Sequence, residues 1–144
     1  MSDLGPDFVD AKVRVIFGDT DQMGVVYYAN DLRYFELSRS ELFRARGGSY
    51  SEMEKQGYGL PVVEAFAKYQ APARYDELIV VRVHLAELNR ASMRFEYQVR
   101  RDDAPGPTIL ATGYTLHACV GPQGRPTRLP EWVAKLLRPS PALK

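Results

Sequence analysis

Apolar and polar positions along the chain repeat at two different periods. Val13, Val15 and Phe17 alternate with Lys12, Arg14 and Ile16, which reads as a strand with one buried face, ended by Gly18. The period then lengthens. Leu32, Phe35, Leu42 and Ala45 fall at helical spacing, flanked by Tyr34, Leu37 and Phe43. A helix that is apolar over most of its circumference is expected to be buried rather than to lie on a surface. Asn30 or Asp31 is placed to cap its start, and Gly47-Gly48 to end it. Residues 49 to 56 read as a short polar helix with Ser49 or Ser51 as its cap.

From Leu60 the period becomes two. Val63, Ala65, Ala67, Tyr69 and Ala71 share one strand face, whose small residues leave room for the helix to lie across. Pro72 closes that strand and Arg74-Tyr75-Asp76-Glu77 makes a turn. Ile79, Val81, Val83 and Leu85 then oppose Arg82 and His84. After a turn at Asn89-Arg90, Met93, Phe95, Tyr97 and Val99 oppose Ser92, Arg94, Glu96, Gln98 and Arg100. Residues 102 to 107, with Pro105, Gly106 and Pro107, form a loop. Leu110, Thr112, Tyr114, Leu116, Ala118 and Val120 read as the face of the last strand, followed by a turn at 121 to 124. Pro130 can occupy the first turn of a helix running to about Leu137. Residues 1–10 and 139–144 read as flexible ends. A strand, a long apolar helix and four strands joined by hairpin-length turns predict an α+β layer. In it one antiparallel sheet curls around one central helix.

Composition adds bounds rather than detail. A chain of 144 residues fits a single domain, here 1–144. A net charge of +1 lacks the basic excess of a nucleic-acid footprint. Cys119 is alone, so neither an intrachain disulfide nor a Cys-rich zinc site is available, and it reads as a small buried hydrophobe. The opening MSDLGPDFVD is acidic and has no apolar core, so it does not read as a secretory signal. Apolar runs fall far short of a membrane span, and cytoplasm is the default expectation.

The chemistry concentrates between Asp19 and Arg39, in DTDQMGVVYYANDLRYFELSR. The beginning resembles a calcium loop, but Met23 occupies a ligand position and Asn30 stands where the bidentate Glu is needed, so that reading fails. His84 and His117 sit in strand patterns away from the acids, and no metal or other cofactor is expected. Two readings of Asp19 and Asp21 remain. They are favourable partners of a helix start, or one is a catalyst. As a catalyst, the Asp21 carboxylate would attack an acyl carbonyl or deprotonate water, with unpaired N–H groups around Tyr28 receiving the oxyanion. Other nucleophile arrangements fare worse, because the chain has no G-x-S-x-G and no P-loop.

GDTDQMGVVYYAN followed by RYFELSR resembles the 4-hydroxybenzoyl-CoA thioesterase family of hotdog-fold acyl-CoA thioesterases. The branch of acyl-CoA thioesterases associated with the Tol-Pal system is the most similar. YQAPARYDELIVV and the later LPEWV resemble further stretches of that branch, so the likeness runs from about Val13 to Leu137. It implies a long helix wrapped by a curved antiparallel sheet, and a homodimer or homotetramer with active sites between subunits. The substrate it implies is an acyl-CoA, with no nucleic acid and no membrane span involved. Asp21 matches the family's catalytic aspartate, and the Tyr28 backbone amide matches the group that polarises the thioester carbonyl. Asp19 matches a supporting acid. Tyr27, Gly24 and Val25 are expected to line the substrate, and Arg90, Arg125 and Arg128 to meet the phosphates of CoA. Two positions depart from the Tol-Pal-type pattern. Tyr28 stands where that branch usually has His, and Asp31 where an aromatic residue is common, so neither branch's substrate is carried over. A hotdog protein that binds acyl groups or a protein partner with little turnover is the alternative.

Overall fold

The computed structural model describes residues 7–138. The strands are β1 (Phe8–Arg14), β2 (Val62–Tyr69), β3 (Leu78–Leu88), β4 (Ser92–Arg101) and β5 (Thr108–Ala118). The helices are α1 (Asn30–Ala45), α2 (Tyr50–Lys55) and α3 (Glu131–Leu137). All strand pairs are antiparallel, in the order β1-β3-β4-β5-β2, so β1 and β2 are the edges. This is the expected α+β hotdog arrangement, except that β2 and β3, read as consecutive hairpin strands, are not neighbours: β2 pairs with β5 and β3 with β1.

The β3 and β4 alternation places Ile79, Val81, Val83, Met93, Phe95, Tyr97 and Val99 on the covered face, each at most 1% exposed. Their neighbours carry charge on the other face. There Arg82 and Arg100 reach across strands to Asp10 at 2.8 and 3.3 Å. Helix α1 lies on the apolar face through Tyr34, Phe35, Ser38, Leu42 and Phe43. The Phe35 ring stacks on Tyr97 with centroids 4.2 Å apart. Gly47 ends the helix with φ at 89°, and the Gly48 N–H returns to the Phe43 carbonyl at 3.0 Å.

Several expectations are corrected. β1 starts at Phe8, inside the segment expected to be flexible; residues 1–6 and 139–144 lie outside the described ones. It ends at Arg14. Beyond it a 3-10 turn, Phe17–Asp19, carries Phe17 outward against Tyr75 instead of into the core. Neither Asn30 nor Asp31 caps α1. Ala29 holds the cap position, and the Asn30 amide donates to the Asp19 carbonyl. Within one chain α1 is covered on one side only, since Leu32 and Leu37 remain about two-fifths exposed. The small face expected on β2 is on the core side, where Ala65, Ala67 and Tyr69 pair with Thr115, Gly113 and Ala111 and where Ala67 and Ala71 pack against the core, but little of it is covered. β2 is exposed along most of its length. On β5 the buried residues are Leu110, Ala111, Thr115 and His117, so the face meeting the core is the one opposite to that expected from Ala111 onward. Gly113 explains the choice. A Cβ there would stand 2.8 Å from the Phe35 ring and collide with the Phe66 carbonyl oxygen, so only glycine lets the helix aromatic approach the sheet. The parity of β5 also shifts beside an irregularity between Val99 and Arg100 of β4, which pure alternation does not show.

Candidate active site

The site is built where the chain turns from the end of the first strand into α1. Residues 19 to 21 and 25 to 27 run as a tight antiparallel pair. The Asp21 N–H donates to the Val25 carbonyl at 2.9 Å, and the Tyr27 N–H to the Asp19 carbonyl at 2.9 Å. The loop between them closes through the Gly24 N–H on the Asp21 carbonyl. Gly24 has φ at 79°, the left-handed conformation this three-residue loop needs before pairing resumes. Asp21 sits at the first position of the turn, and its Oδ1 accepts the Met23 N–H at 2.9 Å. Oδ2 meets no donor among the described residues, and the side chain is half-buried.

Asp19 plays a different part. It is 6% exposed and accepts a hydrogen bond from the Tyr34 hydroxyl at 2.9 Å, with Arg33 at 3.6 Å. Its carbonyl also accepts from Asn30. These contacts tie the turn to the first two turns of α1.

Tyr28 stands just before Ala29, the cap of α1. Its N–H has no acceptor among the described residues, as expected at a helix start. Its carbonyl accepts from the Tyr69 hydroxyl of β2 at 2.8 Å. The Tyr27 and Tyr28 rings lie 4.7 Å apart, both exposed. The Tyr27 phenol is pushed above its ordinary pKa by the Tyr28 hydroxyl first and by the Asp21 charge last, so it is neutral at physiological pH.

Below this rim opens a cavity of about 340 Å³ between the start of α1 and the near end of the sheet. Val25, Val26, Tyr28, Tyr69 and Ala71 are among its walls, with Val99 and Leu110 also facing it. Asp21 is not part of the lining; Val25, its backbone partner, is. Asp31 is, and it was singled out in the sequence only as a possible cap and as a departure from the family pattern. It is 9% exposed, and burial raises its carboxyl from 3.8 to about 6.

The expected phosphate contacts are not beside Asp21 in the same chain. Arg90 lies in the turn between β3 and β4 and lines a groove with Arg128. Arg125 follows the β5 end in the loop that bridges back to Val120. Ser92 pairs with Ala118 at this end of the sheet, whereas Arg101 pairs with Thr108 at the end that holds the cavity. The three arginines and Asp21 are therefore at opposite ends of the strands. Glu36 is exposed and makes no ion pair with Arg39 or Arg74 among the described residues. His117 is 1% exposed, with Nδ1 on the Leu60 carbonyl and Nε2 on the Thr115 hydroxyl, both at 2.8 Å. Burial lowers its pKa to about 4, so the ring is neutral and structural. Among the described residues no group of three His, Cys, Asp or Glu side chains is placed to hold a metal. No helix there is long and apolar enough to cross a membrane.

Comparison with known proteins agrees with this architecture. Residues 15–137 match the model of the thioesterase-like superfamily. The acyl-CoA thioesterase YbgC of Haemophilus influenzae is 33% identical over 110 residues, 75% of this chain and 77% of that protein. The 1,4-dihydroxy-2-naphthoyl-CoA hydrolase of Synechococcus elongatus is 30% identical over 128 residues, 83% of this chain and 91% of that one. A hypothetical protein from Aquifex aeolicus superposes with a TM-score of 0.84 at 32% identity, covering 90% of this chain and 99% of its own. With its hotdog topology, its acid-bearing turn at a helix start and a family match over nearly all the described residues, the chain belongs to the thioesterase-like superfamily.

Proposed function

We propose that the protein hydrolyses acyl-CoA thioesters to the free acid and CoA, with Asp21 as the catalytic carboxylate. The observation that carries this is the pairing of residues 19–21 with 25–27. It holds a carboxylate with one unengaged oxygen beside a helix start whose Tyr28 N–H lacks a protein acceptor. The thioester carbonyl oxygen takes the Tyr28 N–H, and the apolar cavity takes the acyl group. Asp21 attacks the carbonyl carbon directly, or removes a proton from a water that does. After direct attack the C–S bond breaks, CoA leaves as the thiolate and takes a proton from water, and a second water hydrolyses the Asp21–acyl anhydride to the free acid. In the base route the water oxygen bonds to the carbonyl carbon, the C–S bond breaks and the proton taken by Asp21 passes to the departing thiolate. A donor placed at the developing oxyanion contributes about 3 kcal/mol to such a step. Relatives named as acyl-CoA thioesterases support the same chemistry.

The site is completed by a second copy of the chain. β2 is an edge strand, yet Val63, Phe66 and Tyr69 are 59%, 47% and 46% exposed, an apolar edge of the kind that pairs with another strand. Pairing two β2 edges about a two-fold axis sets the Val62 end of one copy beside the Tyr69 end of the other. Val62 lies close in the chain to Gly59, which bridges to Val120, and Val120 bridges to Pro126. The partner's 121–128 loop, with its arginines, thereby approaches the Tyr28 rim and the CoA phosphates.

The test is thiol release by the purified protein from a panel of aliphatic and aromatic acyl-CoAs. Asp21→Asn should fold normally and lose at least about a thousandfold in kcat/KM, as when a nucleophile or base is removed. A folded Asp21→Asn protein with wild-type rates removes Asp21 from the chemistry. The second reading, an acyl-binding protein with little turnover, is favoured by one observation: Asp21 stands outside the cavity lining. Binding without release from any member of the panel would establish it.

A further inference from the structure

Asp31 is the one acidic side chain lining the apolar cavity. It is 9% exposed and has no hydrogen-bond or ion-pair partner among the described residues. The arginine two residues along the helix is engaged elsewhere: Arg33 faces Asp19 at 3.6 Å. Two phenols feel the Asp31 charge, Tyr34 on α1 itself and Tyr69 on β2, and Gln70 lines the same cavity. Tyr34 is committed to Asp19 and Tyr69 to the Tyr28 carbonyl. A packing role is served better by an apolar residue here, because burying an unpaired polar group costs free energy.

We propose that Asp31 is a specificity-determining residue that accepts a hydrogen bond from a hydroxyl on the acyl group. The enzyme would thus select hydroxylated acyl-CoAs over their hydrocarbon counterparts. This rests on the acyl-CoA reading above. The geometry places the two groups on one cavity. Tyr28 stands just before α1 and Asp31 in its first turn, and the Asp31 N–H donates to the Tyr28 carbonyl at 3.3 Å. Both residues line the cavity. An acyl group seated there from a thioester held at the Tyr28 N–H therefore shares the cavity with the carboxylate. A hydroxyl that reaches it finds an acceptor that is already largely desolvated. A plain hydrocarbon leaves the carboxylate without a partner and displaces its remaining water. A cationic amine would also pair with Asp31, but it must shed far more hydration to enter an apolar cavity, which favours the neutral hydroxyl.

The experiment compares matched pairs: 4-hydroxybenzoyl-CoA with benzoyl-CoA, and 6-hydroxyhexanoyl-CoA with hexanoyl-CoA. Wild type should prefer the hydroxylated member of at least one pair by about tenfold or more in kcat/KM, the worth of a hydrogen bond to a charged group. In Asp31→Leu that preference should vanish, chiefly through KM, and in Asp31→Asn it should shrink. A purely structural Asp31 would lower both members together and leave their ratio unchanged, which overturns the proposal. So does a wild type that turns over both members of each pair equally, or one that prefers 4-aminobenzoyl-CoA to the hydroxy compound. If no thioester is hydrolysed, the enzyme reading fails separately. The proposal is then judged on the same ratios measured as binding constants by titration calorimetry.

Discussion

Replacing Asp31 by asparagine should stabilise the protein at neutral pH and leave its stability in acid unchanged. Burial raises the carboxyl from 3.8 in the unfolded chain to about 6 in the folded one. Each unit corresponds to 1.36 kcal/mol, so ionised Asp31 costs the native state about 3 kcal/mol. Its place in the first turn of α1 returns only about 0.3–1 kcal/mol, so desolvation wins. The sign follows from proton binding. The folded state holds this proton more tightly. Stability from the protonated form is therefore complete below about pH 3.8 and is lost as pH rises through about 6. Asparagine has no charge to bury. Its advantage over wild type should be near zero below about pH 3.8, about half its full value near pH 5, and about 3 kcal/mol above about pH 7. Urea unfolding of both proteins at about pH 5 and pH 7.5 measures it, since groups common to both cancel in the difference. An advantage of the same size at both pH values would refute the reasoning. No advantage at either would mean that the carboxylate is solvated or paired in solution.

Three further outcomes are expected. Gly113→Ala should destabilise by about 3 kcal/mol in urea unfolding, because the new methyl meets the Phe66 carbonyl, which belongs to the backbone and cannot step aside; a loss under about 1 kcal/mol would show that β5 shifts freely. Neutral His117, with its pKa lowered to about 4, contributes stability above its ordinary 6.5 that is lost as pH falls through about 4. His117→Gln should accordingly be less stable overall but lose about 3 kcal/mol less between those pH values, and an unchanged acid limb would count against a buried neutral ring. The β2 pairing proposed above predicts that the double variant Val63→Lys/Phe66→Lys has a smaller mass than wild type by light scattering and releases less thiol; an unchanged mass would move the interface off β2.

The turn from Asp21 to Tyr28 and the helix that follows it were legible in the sequence because their signals are local. Two acids, a glycine needed at positive φ and a helical period lie within one short stretch. The β3 and β4 faces were legible for a similar reason: alternation reports burial directly when one face is charged and the other apolar. The family likeness added the carbonyl-polarising role of Tyr28, which a backbone amide leaves no side-chain signature to reveal. Local pattern misassigned β5, whose apolar residues fall on both parities. Which face turned inward was decided by Gly113 meeting Phe35, a contact between residues 78 positions apart.

The sequence by itself thus determined the element types, the antiparallel character of the sheet and the acid before the helix start, all set by nearest neighbours and period; the strand order, which places β2 beside β5 rather than β3, it did not. Only the tertiary structure decided what surrounds each group. It closed an apolar cavity over Asp31, which the sequence presents merely as an acid near a helix start, and committed Asp19 to Tyr34 while leaving Asp21 an open oxygen. It also left β2 uncovered at the sheet edge. Desolvation and pairing depend on atoms brought together from distant parts of the chain, and those no local pattern contains.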